Sequence, residues 1–297
     1  MKSQKNLVQF PKISIITPSF NQGKFIERTI KSVLNQNYSN FEYIVIDGGS
    51  TDETISILKK YNDKLTWISE PDSGQTSAIN KGLRMSLGNI IAYLNSDDTY
   101  EPHTLKIISK YFADHPKTYF VYGEGRLIDC DDNEIGFYNT KTADYQSLAS
   151  HCPISQPTTF MKRKIYEEIG EFNESYQFTM DYEYWIRVSK KFKLHYLKKL
   201  ILANARIHDD AKTSAFTSKL HLDAIKATKS FYDEVHPDWI NNYINSFFAR
   251  KESNILYYPI MIVGSFLLTM YWNKRFPNNT QYQQYVTWIK DFFKQYF

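Results

Sequence analysis

Four short apolar runs separated by stretches of helical spacing limit what this chain can become. ISIITP (residues 13–18), FEYIVID (41–47), LTWISE (65–70) and IIAYL (90–94) read as buried strands. Between them, residues 25–35, 51–61 and 76–87 carry apolar side chains at helical intervals, as with Ile26, Ile30, Val33 and Leu34. Strands and helices alternating in units this short build a mostly parallel sheet covered on both faces. Ligands of such sheets sit outside the carboxyl ends of the strands, and the polar clusters of this sequence fall there. Thr17, Ser19 and Asn21 close the first run, Asp47 to Ser50 the second, Asp72 to Gln75 the third and Asn95 to Asp98 the fourth.

The fourth cluster, within YLNSDDTYEP (93–102), has two readings. One is a polar turn leading into a helix with Pro102 near its first position, since Ser, Asn and Asp favour turns and caps. The other is a buried strand that ends by presenting carboxylates to a divalent metal on a phosphate. Four polar termini on one rim favour the second.

A chain of 297 residues that is 42% hydrophobic buries a large core, in one long domain or in one domain with an appendage. Its 36 basic and 32 acidic residues are too evenly matched for a nucleic-acid coat, so no nucleic-acid partner is expected. Cys130 and Cys152 are in no Cys-x-x-Cys arrangement and read as free thiols. The opening MKSQKNLVQFPK has no apolar core of a secretory signal, which places the expected site of action in the cytoplasm. The turn PSFNQGKF has one glycine where a dinucleotide fingerprint needs three, and no G-x-x-x-x-G-K-[ST] occurs, so neither of those phosphate cradles is present.

What remains is a nucleotide-sugar binder. ISIITPSFNQGKFIERTIKSVLNQNYSNFEYIVIDGGSTDET and DSGQTSAINKGLRMSLGNIIAYLNSDD resemble the two parts of the nucleotide domain of the family 2 glycosyltransferases, the inverting group with the GT-A fold. The resemblance runs over about residues 13–208. It implies an α/β GT-A-type domain over 1–214, with a nucleotide half over about 10–100 and an acceptor half over about 101–214, followed by a helical C-terminal region over 215–297. It also implies roles. Asp47 would accept from the N3–H of uracil, Pro18, Ser19 and Asn21 would line base and ribose, and Thr17, Gly48 and Ser50 complete that set. Asp72, Gly74 and Asn80 would lie near ribose and sugar, with Lys81 or Arg84 close to the diphosphate. Asn95-Ser96-Asp97-Asp98 stands where the family has D-x-D, which makes Asp97 the metal-binding carboxylate and leaves Asn95 as an amide in place of the usual first acid. An amide bonds a hydroxyl but adds no charge to a metal site. Asp47 to Ser50 also reads simply as a turn plus the cap of the next helix.

SQPTTFMKRKIYEEIGEFNESYQFTMDYEYWIRV resembles the family's acceptor-binding segment: a short strand, a helix, a Gly-Phe turn and an acid-bearing helix. The family's catalytic base falls on Asp181, and Met180 replaces the acid that usually precedes it. Glu183, two residues on, is about 200° further round a helix and cannot face the same cleft. Asp181 reads alternatively as a helix cap. His208, in ARIHDDAKTS, matches a histidine that reaches the metal or the diphosphate, and Arg206 two residues earlier points the same way on an extended segment. Gln156 and Pro157 match the acceptor-loop pattern.

Beyond about residue 214 the resemblance fades. KLHLDAIKATKSFYDEV has helical spacing, with Leu220, Ile225 and Phe231 on one side. ILYYPIMIVGSFLLTMYW (255–272) has no charge over eighteen residues, but Pro259, Gly264 and its tyrosines make a spanning helix a poor fit; Lys274 and Arg275 close it. In YQQYVTWIKDFFKQYF, Tyr285, Trp288, Ile289, Phe292 and Tyr296 recur at helical spacing with Lys290 and Lys294 between them. That pattern suits a peripheral membrane contact at the inner face of the cytoplasmic membrane, and equally a packing face or a homodimer. The expected activity is metal-assisted transfer, with Mn²⁺ or Mg²⁺, of a sugar from a nucleotide diphosphate, UDP by preference, to a hydroxyl of a growing, lipid-linked glycan. The alternatives are a catalytically degenerate sugar-nucleotide-binding protein, suggested by Asn95 and Met180, and a sugar-nucleotide pyrophosphorylase, whose Gly- and Arg-rich first loop is missing here.

Overall fold

The structure, a computed structural model, describes residues 10–211, 216–247, 257–274 and 279–296. Its chain divides into two compact units, one made of residues 10–144 and 153–208, the other of 145–152 and the segment after 208. The expected boundary at 214/215 lies outside the described residues.

The first unit is built on a nine-stranded sheet. Strands β1 (Ile13–Ser19), β2 (Phe41–Asp47), β3 (Thr66–Ser69) and β4 (Ile90–Tyr93) are joined by α1 (Ile26–Leu34), α2 (Thr54–Lys59) and α3 (Gln75–Met85). They lie in the order β3-β2-β1-β4, all parallel, which is the arrangement the four apolar runs predict. Alternate residues go to opposite faces. Ile13, Ile15, Tyr43 and Val45 pack with Ile26, Ile30 and Val33 of α1, whereas Ile44 and Ile46 meet Ala78 of α3. Gly82 lets α3 lie this close, because a Cβ there would come 2.5 Å from Ile16 Cγ2. β3 differs from expectation. It is the sheet's edge, paired only with β2, and its residues are exposed or half-buried, so its apolar letters do not mark a buried strand.

The sheet continues as a mixed one. After β5 (Thr99–Tyr100) and α4 (Thr104–Asp114) come β6 (Phe120–Ile128), β7 (Glu134–Phe137), β8 (Thr159–Lys162), α5 (Arg163–Ile169), α6 (Met180–Ser189) and β9 (Leu194–Arg206). β8 runs antiparallel to β4 and to β6, and β9 is parallel to β6 and antiparallel to β5. The stretch after Asp98 is therefore not a plain turn into a helix: Thr99 and Tyr100 form a strand, and α4 starts two residues after Pro102.

Among the described residues the second unit contains four α-helices, α7 (Thr217–Tyr232), α8 (Pro237–Asn245), α9 (Tyr257–Asn273) and α10 (Asn279–Tyr296). Pro237 sits at the first position of α8, where its missing N–H costs nothing. The buried stripe of α7 is Ala224, Ile225, Ala227 and Thr228, so Leu220 and Phe231 flank it rather than form it. α9 packs through Tyr257, Met261, Ser265 and Thr269. Ser265 donates to Asn241 Oδ1 at 2.7 Å, and Tyr257 donates to Asn245 Oδ1 at 2.6 Å. Its other side, Ile260, Val263, Leu267 and Tyr271, is apolar and exposed. No helix among the described residues is long and apolar enough to cross a membrane. In α10, Tyr285 is buried while Ile289, Lys290 and Lys294 are exposed. Residues 255 and 256 of the uncharged stretch, and Arg275 beyond it, lie outside the described residues, as do the side chains of Phe292 and Tyr296.

Candidate active site

Hydrogen bonds stitch the four strand ends into one rim. Gly48 N–H donates to the Ser19 carbonyl at 2.8 Å, Asn21 N–H donates to Ser50 Oγ at 2.7 Å, and Thr51 N–H donates to Asn21 Oδ1 at 2.9 Å. These bonds join the ends of β1 and β2. Glu70 N–H donates to the Asp47 carbonyl at 3.0 Å, and Ser69 Oγ donates to Asp47 Oδ2 at 2.7 Å, which brings in β3. Gln75, the first residue of α3, donates to Asn95 Oδ1 at 2.7 Å and so connects the end of β4. Thr17 and Pro18 are buried beneath, Thr17 Oγ1 lying 3.1 Å from the Tyr43 hydroxyl. Two groups on the rim stand unspent: Ser19 Oγ is buried without a partner, and the Phe20 ring is 59% exposed.

At the end of β4 the turn is pinned from below. Thr29 of α1 donates to the carbonyls of Ser96 and Asp98, at 2.9 and 2.7 Å. Asp98 points inward and accepts from Arg206 N–H at 2.9 Å; burial first, and the Asp97 carboxylate second, push its carboxyl well above the usual range. Asp97 is the acid left facing outward, with Oδ2 3.0 Å from His208 Nε2. β9 delivers that histidine, because Arg206 at the end of β9 is tied to Asp97 O and Asp129 O, and both side chains rest on the Phe25 ring at about 5 Å. His208 Nδ1 has no partner. A 3.0 Å separation is what adjacent ligands have around a six-coordinate divalent cation with bonds of ~2.1 Å. The pair fits such an ion as two of its ligands, and among the described residues no group of three or more His, Cys, Asp or Glu exists to hold one unaided.

The acid-bearing helix reaches the same neighbourhood through α3. Asn80 Nδ2 donates to Phe172 O at 2.9 Å and Asn80 Oδ1 accepts from Phe172 N–H at 3.0 Å, which fastens the segment before α6 onto α3. Further along it, Gln177 Oε1 lies 3.2 Å from where a Cβ of Gly74 would stand; Gly74, at φ +110°, precedes the first turn of α3. Four residues later Asp181 occupies the first turn of α6, half-buried, and Tyr182 N–H donates to its Oδ1 at 2.8 Å. Burial raises the carboxyl above its ordinary value against the pull of that amide. Asp181 is not the cap residue, which is Thr179, whose own hydroxyl is unpartnered. Glu183 is turned the other way and pairs with Arg187 through both oxygens, at 2.8 and 2.9 Å.

Several side chains are engaged otherwise than the resemblance implies. Asp47 is 0% exposed and accepts from Gly49 N–H, Ser50 N–H, Ser50 Oγ and Ser69 Oγ, bonds that build the loop. Asn80 spends its amide on Phe172. Arg84 lies nine residues along α3 from Gln75, ~14 Å of rise, and pairs with Glu171. Lys81 pairs with Glu70. Asp72 accepts from Gly74 N–H at 2.7 Å and shapes the approach to α3, close against Gly48. Sequence reasoning misses Phe20 and Thr29 and has Gln75 only as the end of the third polar cluster. An aromatic inside the polar PSFNQG turn and a hydroxyl on the apolar face of α1 are the signals that mark the first two.

A family profile described as Glycosyl transferase family 2 matches residues 14–170. An uncharacterised glycosyltransferase of Rickettsia typhi is 30% identical over 221 residues, 71% of this chain and 68% of its own length. The chondroitin synthase of Escherichia coli is 29% identical over 198 residues, 65% of this chain, and the match spans only 29% of that synthase. Among solved structures, residues 1–349 of Staphylococcus aureus TarS with UDP-GlcNAc superpose with a TM-score of 0.65 at 15% identity, covering 95% of this chain and 92% of that one. The mannosyltransferase PcManGT of Pyrobaculum calidifontis, with GDP-Man and Mn²⁺, gives 0.60 at 17% identity, covering 94% and 80%.

Proposed function

The chain belongs to glycosyltransferase family 2, and we propose that it moves a sugar from a nucleoside diphosphate, UDP by preference, to a hydroxyl of a growing glycan with inversion at the anomeric carbon. The observation that carries this reading is the Asp97–His208 pair at 3.0 Å on the rim where four strand ends meet. Asp97 and His208 would hold a divalent cation, Mn²⁺ or Mg²⁺, which neutralises the leaving diphosphate when bound. The exposed Phe20 ring offers a base a stacking face, and Ser19 Oγ offers an unspent hydroxyl. Asn21 and Ser50 hold the two walls together, which fixes that platform before any ligand arrives.

Asp181 takes the proton from the acceptor hydroxyl as that oxygen attacks the sugar on the face away from the diphosphate. Its raised carboxyl suits a base, since a more basic carboxylate accepts a proton more readily. Asn95 is held by Gln75 and lies 3.3 Å from Gln156, so it serves as a fixed amide and not as a metal ligand. A lipid-linked acceptor fits the exposed apolar side of α9, which lays Ile260, Val263 and Leu267 against the inner face of a membrane. Thermal shift and diphosphate release across UDP-, GDP- and dTDP-sugars with Mn²⁺ test the reading. A metal-dependent response to one nucleotide class is expected, and no response to any of them would sink it.

A further inference from the structure

A cleft of about 340 Å³ opens in the first unit between α1, β5, β6 and β9. It is lined by none of the residues given a donor or acceptor role above. Arg28, Lys31 and Arg126 face it, and each already has an acid: Asp132 at 3.2 Å, Glu27 at 3.7 Å, and Glu101 and Glu134 at 3.3 and 3.0 Å. A polyanion would find these three cations already paired with acids and gain little. The cleft supplies a fixed set of planar donors and acceptors instead. The Asn204 amide donates to Thr99 Oγ1 at 3.1 Å while its Oδ1 is buried without a partner, and Ile128 adds a small apolar wall. Guanidinium, carboxylate and amide groups held by their own pairings present the paired donors and acceptors that neighbouring hydroxyls of a sugar ring need.

We propose that this cleft binds one sugar unit of the glycan away from the point of transfer. The proposal rests on the reading of the chain as a transferase that acts on a glycan. Its volume is at the lower end of the ~300–1,000 Å³ of small-ligand sites, room for one ring and not for a run of them. The cleft also shares a wall with the transfer site, because Asp132 bonds Arg28 on one side and Arg206, which holds the Asp97 carbonyl, on the other. Holding a glycan there raises its local concentration at Asp181 without adding a catalytic contact.

The full chain is applied to an array of defined oligosaccharides, beside an Asp97→Ala, Asp181→Asn variant and a Lys31→Ala, Arg126→Ala variant. The expected result is a glycan bound by the parent and by the first variant, with binding at least tenfold weaker in the second. The second variant should keep the parent's thermal shift with UDP and Mn²⁺, which shows that it is folded. Lys31→Ala alone, on the exposed side of α1, serves if the double variant fails to fold. Absence of any bound glycan, or binding lost with Asp181→Asn and kept without Lys31 and Arg126, overturns the cleft while leaving the transferase reading to its own nucleotide-sugar test.

Discussion

Replacing Glu183 by Gln separates the two acids of α6. The Glu183 side chain is 3% exposed and that of Arg187 21%, and they meet through two bonds of 2.8 and 2.9 Å. Removing one partner of a buried pair costs ~3–5 kcal/mol, because the other charge is stranded. Arg187 keeps the carbonyls of Ile169 and Glu171, at 3.0 and 2.8 Å, and reaches solvent in part, so the loss here should be smaller, about 2–3 kcal/mol. For a unit of some two hundred residues that corresponds to a fall in melting temperature of about 4–12 °C. Scanning calorimetry reads the melt, and donor turnover measured well below it reads the chemistry. Turnover per folded molecule should stay close to that of the parent. An unchanged melt with turnover down by two orders of magnitude would refute the reasoning and move the base to Glu183.

Asp181→Asn should leave UDP binding intact and lower transfer by ~10² or more, the usual share of a general base, as followed by diphosphate release with acceptor present. Because burial raises the Asp181 carboxyl and only the carboxylate accepts a proton, the acid limb of the parent's pH–rate profile should begin at higher pH than an exposed aspartate would give; an acid limb at an ordinary carboxylate value counts against it. Asp47→Ala strands the amides of Gly49 and Ser50; at ~1–3 kcal/mol for each fully buried donor the ceiling is about 6 kcal/mol, and since both are only half-buried, denaturant unfolding should show a loss of about 2–4 kcal/mol. A base-reading Asp47 would instead leave stability alone and change nucleotide preference. Val263→Glu with Leu267→Glu, both exposed, should abolish flotation with anionic liposomes at unchanged mass in light scattering; a dimer that falls to a monomer would assign that face to self-association.

The strand ends are legible because each apolar run is short, nearly continuous and followed at once by residues that favour turns. Membership of an edge is not. LTWISE carries the same letters as a buried strand, and what exposes it is that among the described residues no strand pairs with β3 beyond β2. Asp47 shows a similar limit at the site. A carboxylate that ends a strand can accept from its own loop or from elsewhere, and one of its donors, Ser69, arrives twenty-two residues later on another strand. Asp97 and His208 stand 111 residues apart, and each was singled out by its local motif, while their distance depends on β9 running beside β6. In α9 large apolar letters stand on both sides and the small polar Ser265 and Thr269 are buried, so the packing side is set by Asn241 and Ile244 of α8 and not by hydrophobicity along α9.

Calorimetry of UDP binding with and without Mn²⁺, on the parent and on Asp97→Ala, addresses the rim itself. The parent should bind UDP much more tightly with the metal than without it, and Asp97→Ala should bind with the weak affinity of the metal-free parent whether or not Mn²⁺ is added. Equal, metal-enhanced affinity in both proteins would mean that the turn after β4 holds no cation, and would contradict the account.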